Sequence, residues 1–132
     1  MRKTLHLFFV IVSLLIFFNC SNEKRLHTQL TEMAKNLNQS APQQLDTFTI
    51  FMGAKVTEDN TFQYLYRIVN TNDPSFLLKE SEANVKNNMK NEFNLNPDLK
   101  IFTQNKLNID YIYADSVGTI IKTIHITPND YK

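Results

Sequence analysis

The stretch 107–126, LNIDYIYADSVGTIIKTIHI, decides the fold. Apolar and aromatic side chains alternate with polar ones on both sides of a polar turn at 115–118, and a period of two residues is typical of strands with one buried face. Gly118 supplies the positive φ that such turns often require. The stretch therefore predicts a hairpin whose buried face carries two sets of side chains: Leu107, Ile109, Tyr111 and Tyr113, then Ile120, Lys122, Ile124 and Ile126.

A second hairpin precedes this one. The alternation starts at Thr47, with Ile50, Met52 and Ala54 predicted to point one way, and Phe51 is its exception. After a polar turn at 58–60 the pattern returns with a second apolar and aromatic set on one face: Phe62, Tyr64, Tyr66 and Ile68.

Each hairpin follows a predicted helix. Leu26, Leu30 and Leu37 lie on one helical face, and Pro42 stops this first helix. The second helix is predicted over Leu78–Asn94 and ends before Pro97. Segment 97–102 fits either a helical turn or a bent strand.

The order helix, hairpin, helix, hairpin predicts an α+β fold. We expect one domain over residues 26–132, with a four-stranded, mainly antiparallel sheet and two helices packed on one face. A chain of 132 residues is the size of a single domain.

The amino terminus is typical of a secretory signal peptide. Arg2 and Lys3 precede the apolar run Leu5–Phe18. As a helix this run would reach about 21 Å at about 1.5 Å per residue, less than the roughly 30 Å of a bilayer core. We therefore predict that residues 1–19 are a signal peptide that exports the rest of the chain.

The sequence Phe17-Phe18-Asn19-Cys20 resembles the end of a bacterial lipoprotein signal peptide, although that family usually has Leu and small residues before the cysteine. The resemblance implies acylation of Cys20 with palmitate-type chains, with residues 20–25 as the lipidated tether. It would hold the domain on a bacterial envelope membrane, in the periplasm. The alternative is that Cys20 is an incidental thiol beside an uncleaved anchor.

Several kinds of chemistry have no support in the sequence. A net charge of +1 without a basic block argues against nucleic-acid binding. His27 and His125 lack the spacing of a metal site, and neither a phosphate loop nor a common hydrolase motif occurs. We expect no metal, no cofactor and no catalytic residue, and hence a protein that is not an enzyme.

Four tyrosines form the most distinctive group. Tyr64 and Tyr66 share one face of a predicted strand, and Tyr111 and Tyr113 share one face of another. Tyrosine combines rigid apolar area with a hydroxyl, so the four suit a binding platform, to which we add Arg67. Ordinary packing under the helices is the alternative. Arg67 has the opposite parity and is expected to pair with Asp110 across the exposed face.

The layout resembles a loose group of small exported bacterial proteins. The resemblance rests on Leu37-Asn38, Pro42, Leu45-Asp46-Thr47, Tyr64-x-Tyr66 and Tyr111-x-Tyr113-x-Asp115-x-x-Gly118-x-x-Ile121. It implies an exported α+β domain and no particular activity.

These observations favour a non-enzymatic envelope lipoprotein that binds a protein partner. It would be an accessory subunit of an envelope assembly or an immunity or inhibitor protein, with loop 70–75 as the candidate inhibitory segment. The rival is a small-ligand-binding protein or enzyme whose pocket lies between sheet and helices and is lined by Tyr66, Tyr111 and Arg67. A deep cavity would favour the rival, and a sheet face sealed by the helices would exclude it.

Overall fold

The computed structural model describes residues 21–131 of the chain. Within this range a first helix, α1, covers residues 21–38. The elements that follow are β1 (Gln43–Gln44), β2 (Thr49–Val56), β3 (Phe62–Ile68), α2 (Pro74–Leu77), α3 (Ser81–Leu95), a 3₁₀ turn (Pro97–Leu99), α4 (Lys100–Asn105), β4 (Ile109–Ala114) and β5 (Ile120–Ile126). The predicted signal peptide and Cys20 lie outside the described residues.

The strands form one mixed sheet in the order β1-β2-β3-β4-β5. Both predicted hairpins are present as antiparallel pairs, β2 with β3 and β4 with β5. The central pair, β3 with β4, is parallel, because α2, α3 and α4 carry the chain back across the sheet between these two strands. The α+β class is confirmed, whereas the predicted count of four strands is wrong. The fifth strand, β1, is only two residues long and pairs antiparallel with β2.

A β-bulge in β2 explains the exception at Phe51. The register of β2 against β3 shifts between Phe51 and Gly53. Phe51 and Ala54 are both buried, whereas Ile50 and Met52 are only partly buried, contrary to the predicted alternation. The bulge inserts an extra residue, so the parity of the strand reverses at this point.

The core lies on one face of the sheet. Leu30 and Ala34 of α1, Met89 of α3 and Phe102 of α4 join the buried strand residues in one continuous cluster. The helices that contribute to this cluster pack on a single face, but the predicted number of two helices is wrong, because the short helices α2 and α4 accompany α1 and α3. Segment 97–102 is helical, as the 3₁₀ turn and the start of α4. The strand contribution to the cluster is Phe51, Ala54, Phe62, Ile68, Ile109, Tyr113, Ile124 and Ile126.

Asn38, the last residue of α1, completes the free edge of β2. Its Oδ1 accepts a hydrogen bond from Ala54 N at 2.6 Å, and its Nδ2 donates to Ala54 O at 2.9 Å. The amide thus pairs as a neighbouring strand would. Gly53 has φ +136°, and a Cβ there would lie 2.7 Å from Asn38 Oδ1. The sequence therefore needs glycine at this position for two reasons, backbone conformation and space.

Among the helices of residues 21–131, none combines the length and the apolar character that a membrane crossing requires.

Candidate binding cleft

A cleft of about 460 Å³ lies between the helix-bearing face of the sheet and α3. Cavities of this size hold small ligands or the side chains of a bound segment. The helices therefore do not seal the sheet. The lining comes from the sheet (Thr49, Tyr64, Tyr66, Ile109, Tyr111, Tyr113), from the loop before β2 (Leu45, Asp46), from α2 to α3 (Leu77, Leu78, Ser81, Val85, Asn88, Met89, Glu92, Phe93) and from Leu99 and Phe102.

The parallel pairing of β3 and β4 brings the four tyrosines together. Tyr64 lies opposite Tyr111, and Tyr66 lies opposite Tyr113. The rings stack in the order Tyr64, Tyr111, Tyr66, Tyr113, with centroid separations of 5.2, 6.1 and 5.1 Å and interplanar angles of 23° or less. Since each inner ring has a ring against both faces, the row presents edges and hydroxyls to the cleft rather than flat stacking surfaces.

The hydroxyls of this tyrosine row have no hydrogen-bond partner within residues 21–131. Tyr131 differs, because its hydroxyl donates to Leu107 O at 2.7 Å. Burial raises the pKa of Tyr64 to about 12. Burial also raises the pKa values of Tyr66 and Tyr111, with a further contribution from the neighbouring tyrosines. The row therefore consists of neutral phenols, each with an unused donor and acceptor.

Helix α3 provides the opposite wall. Val85, Met89 and Phe93 give it an apolar surface, and Asn88 and Glu92 add polar groups. Glu92 forms no ion pair with any described residue, and its negative charge contributes to the raised pKa of Tyr111. The other charged lining residue, Asp46, accepts hydrogen bonds from the amides of Phe48 and Thr49 at 2.7 and 2.8 Å.

The rim of the cleft carries exposed apolar side chains. Leu45 is 53% exposed and Leu77 is 40% exposed, and both line the cleft. Phe76, next to Leu77 in α2, is 70% exposed. Exposed apolar side chains at the mouth of a cavity are typical of an interaction site. Together with the cavity they form a continuous apolar surface that a partner could bury. We call Leu45 and Leu77 the apolar rim; Phe76 does not line the cleft.

Arg67 does not join the tyrosines. It has the opposite parity in β3, pairs in register with Ile50 and Ala114, and lies on the face that carries no helix. The expected pair with Asp110 is wrong, because Asp110 accepts hydrogen bonds from Gln63 at 2.9 Å and contacts His125 at 2.8 Å instead. Asp110 lies directly opposite Gln63 in the register, whereas Arg67 lies four residues further along β3, opposite Ala114.

His27, His125 and segment 70–75 are not among the residues that line the cleft. His27 contacts Asn60 at 2.8 Å, and residues 21–131 contain no cluster of three or more metal-ligating side chains. Segment 70–75 is not a loop throughout, because Pro74 and Ser75 belong to α2; Asn70 Nδ2 donates to Thr47 O, and Asp73 caps α2 by accepting from the amide of Phe76. Sequence reasoning missed Glu92 and the apolar rim. An acidic residue in the last turn of a helix was the available signal for Glu92.

Comparisons with known proteins match both the sequence and the fold. The profile of a domain of unknown function, DUF8479, matches residues 23–121. A protein of Pseudomonas aeruginosa assigned as secreted has a similar structure, with a TM-score of 0.68 and 10% identity over 83% of this chain and 96% of that one. No curated protein matches the sequence significantly.

Two pilotins are also similar in structure. The pilotin EpsS of the Vibrio vulnificus type 2 secretion system has a TM-score of 0.59 and 13% identity, over 85% of this chain and 96% of its own. The type II secretion pilotin AspS of Vibrio cholerae has a TM-score of 0.56 and 12% identity, over 84% and 96%. At these identities the likeness establishes a shared fold.

Proposed function

The chain belongs to the DUF8479 family, and we propose that it is an exported, non-enzymatic accessory protein whose cleft binds a segment of a protein partner in the bacterial envelope. The observation that carries this proposal is the cleft itself, with its tyrosine row and its apolar rim. A binding surface needs apolar area that is buried only in the complex, and it needs polar groups that fix the orientation of the partner.

The composition of the cleft suits a polypeptide. The apolar rim offers side-chain contacts at the mouth, and the tyrosine hydroxyls offer donors and acceptors along the floor. Backbone amides and carbonyls of a bound segment need both kinds of group once they leave water. Tyrosine also loses little conformational entropy on binding, because it has only two side-chain torsions.

The structural neighbours support the choice of partner. Two of them are pilotins of type 2 secretion systems, and we extend this role to the present chain as an accessory subunit of a secretion-type envelope assembly. The immunity or inhibitor alternative receives less support, since segment 70–75 is tied down by Asn70 and Asp73.

The location of the protein follows from the amino terminus. We propose that residues 1–19 are removed and that acylation of Cys20 anchors the domain to an envelope membrane. Several acyl chains hold a protein firmly, because each buried CH₂ contributes about 0.8 kcal/mol. Residues 21–25, predicted as part of a tether, belong to α1, so the lipid on Cys20 would place the start of α1 close to the bilayer, with the cleft facing periplasmic components.

Photocrosslinking in the native bacterium tests the proposed binding site. A photoreactive amino acid is placed at Leu77 on the apolar rim and, as a control, at Val117, which is 84% exposed in the β4–β5 turn. We expect a discrete adduct with one envelope protein from position 77 and none from position 117. Leu45→Asp should abolish the adduct, whereas Leu95→Asp, at an 81% exposed leucine outside the cleft, should leave it unchanged.

Adducts of equal yield from positions 77 and 117, or an adduct that survives Leu45→Asp, would overturn the proposal. Mass spectrometry of the adduct identifies the partner segment and so separates an envelope assembly subunit from an incoming toxin.

A small-ligand-binding protein is the second candidate. The cavity volume of about 460 Å³ and the unpaired tyrosine hydroxyls favour it. Arg67, which the sequence had added to such a pocket, lies on the other face of the sheet. Native mass spectrometry of the protein purified from its own host distinguishes the candidates, since a small ligand would appear as a bound species of defined mass.

A further inference from the structure

We infer that the segment bound in the cleft carries a basic side chain beside its apolar ones, and that Glu92 selects it. This inference rests on the proposed function and names the chemistry of the partner. The occupant is thus a stretch of polypeptide with leucine-like side chains and one lysine or arginine. The unpaired carboxylate of Glu92, in the wall of the cleft, is the observation from which the argument starts.

The charged side chains that line the cleft are all negative. Of the two, Asp46 is engaged with the amides of Phe48 and Thr49. The remaining charge belongs to Glu92, which has no cation beside it in the described part of the chain. A cleft with such a lining attracts a cation and repels a carboxylate or phosphate, and charge complementarity of this kind decides which partners are rejected.

The position of Glu92 on α3 adds a second argument. Glu92 lies in the last turn of a fifteen-residue helix, and that turn holds no basic residue. The carbonyl groups at a helix carboxyl terminus carry partial negative charge, so an acidic side chain there is unfavourable for the isolated domain. A bound cation would interact favourably with both the carboxylate and the helix end.

Lys122, which does not line the cleft, is engaged away from Glu92. Lys122 donates to the carbonyl of Leu78 at 2.9 Å, just before α3 begins. Ser81 and Glu92 are eleven residues apart on α3, which corresponds to about 16 Å at about 1.5 Å per residue. Lys122 therefore does not neutralise Glu92.

Tyrosine fluorescence provides the test. The chain has no tryptophan, and four of its five tyrosines line the cleft. The full-length protein in dodecyl maltoside is titrated with two acetylated and amidated peptides, Leu-Ala-Lys-Ala-Leu and Leu-Ala-Glu-Ala-Leu. We expect the lysine peptide to bind about fivefold more tightly, as befits an exposed ion pair.

Charge variants assign the preference to Glu92. Glu92→Gln should bring the two peptides to similar affinity, and Glu92→Lys should reverse the order. Glu58→Lys, at an exposed residue of the β2–β3 turn outside the cleft, should keep the original preference.

The outcomes separate this inference from the proposed function. Equal binding of both peptides, lost in Leu77→Asp, would overturn the role of Glu92 and leave the cleft as a polypeptide site. A preference that survives Glu92→Lys would likewise overturn it. Binding of neither peptide would overturn the inference and the proposed function together.

Discussion

Asn38 shows how one side chain replaces a missing stretch of strand. Strand β1 pairs only with Ile50 and Phe51 of β2. Further along this edge of β2, the Asn38 side-chain amide forms hydrogen bonds with the backbone of Ala54. Asn38→Ala should lower the free energy of unfolding by about 1–3 kcal/mol, because the Ala54 amide and carbonyl lose their partner. Urea denaturation measures this change. Asn36→Ala, at an exposed residue of the same helix, is the control, and equal midpoints for the two variants would contradict this role.

Gly53 gives a second prediction at this scale. Gly53→Ala places a non-glycine residue at φ +136° and drives its Cβ towards Asn38. Gly118→Ala introduces a similar backbone strain at φ +94° with open space around the Cβ. Strain of this kind costs about 1–3 kcal/mol in each variant. Gly53→Ala should be more destabilising than Gly118→Ala, because its Cβ would also displace Asn38 and break the hydrogen bonds between Asn38 and Ala54. Thermal unfolding of both variants checks this, and a larger loss at Gly118 would refute it.

The residue scale is also where sequence reasoning was least complete. Alternation assigned Phe51 to the wrong face because a bulge changes the parity within a strand and leaves no local mark apart from Gly53. The same alternation placed Arg67 and the tyrosines on opposite faces, and the structure agrees. The pairing of Asp110 depends on the register between β3 and β4, which the sequence of either strand alone does not contain.

Among the elements, α1, α3 and both hairpins were predictable from their local periods, whereas α2 begins inside the predicted loop 70–75 and segment 97–102 fitted either a helical turn or a strand. The parallel contact between β3 and β4 was not predictable, since it is made by strands that are separated by three helices. That contact builds the tyrosine row. The tyrosines could be selected from the sequence, whereas the cleft above them depends on how far α3 stands from the sheet, a long-range property.

The tyrosine row predicts how the folded protein responds to alkali. Folding raises the pKa of Tyr64 to about 12 and raises the pKa values of its neighbours as well. The folded state then keeps protons that the unfolded chain loses above about pH 10. The free energy of unfolding should be unaffected below about pH 10. It should decrease as the pH rises from there towards the raised pKa values of the folded state.

Absorbance at 295 nm and circular dichroism, followed together from about pH 9 upwards, measure this behaviour. We expect tyrosinate absorbance to rise together with the loss of folded signal. Ionisation of the row near pH 10 in a protein that remains folded would contradict the burial of these rings.

Helix α1 belongs to the core rather than to a separate tether. Leu30 is fully buried in the common cluster. Leu30→Ala should therefore cost about 2–5 kcal/mol. Thr31→Ala, at the exposed neighbour, should have little effect in the same urea titration. If the two variants unfold at the same urea concentration, α1 does not contribute to the core.

For the molecule as a whole, we propose that a lipid tether at Cys20 and the cleft act together. Acylation of Cys20 would hold the domain at a membrane while the apolar rim remains free to meet a partner. Intact mass and membrane partitioning of the wild type and of Cys20→Ala test the tether. We expect the wild type to lose residues 1–19, to gain acyl mass and to partition with membranes, and the variant to do none of these. Retention of Met1 in both would show that the terminus is a plain anchor.

We propose above that the cleft between the sheet and α3 binds a segment of a protein partner. The most direct measurement is nuclear magnetic resonance of the protein with isotope-labelled tyrosine rings, titrated with the partner segment identified by crosslinking. Tyr131, whose hydroxyl is already bonded to Leu107, is the internal reference. We expect the ring resonances of Tyr64, Tyr66, Tyr111 and Tyr113 to shift together while that of Tyr131 changes least. Unchanged resonances for all four at saturating partner would contradict this proposal.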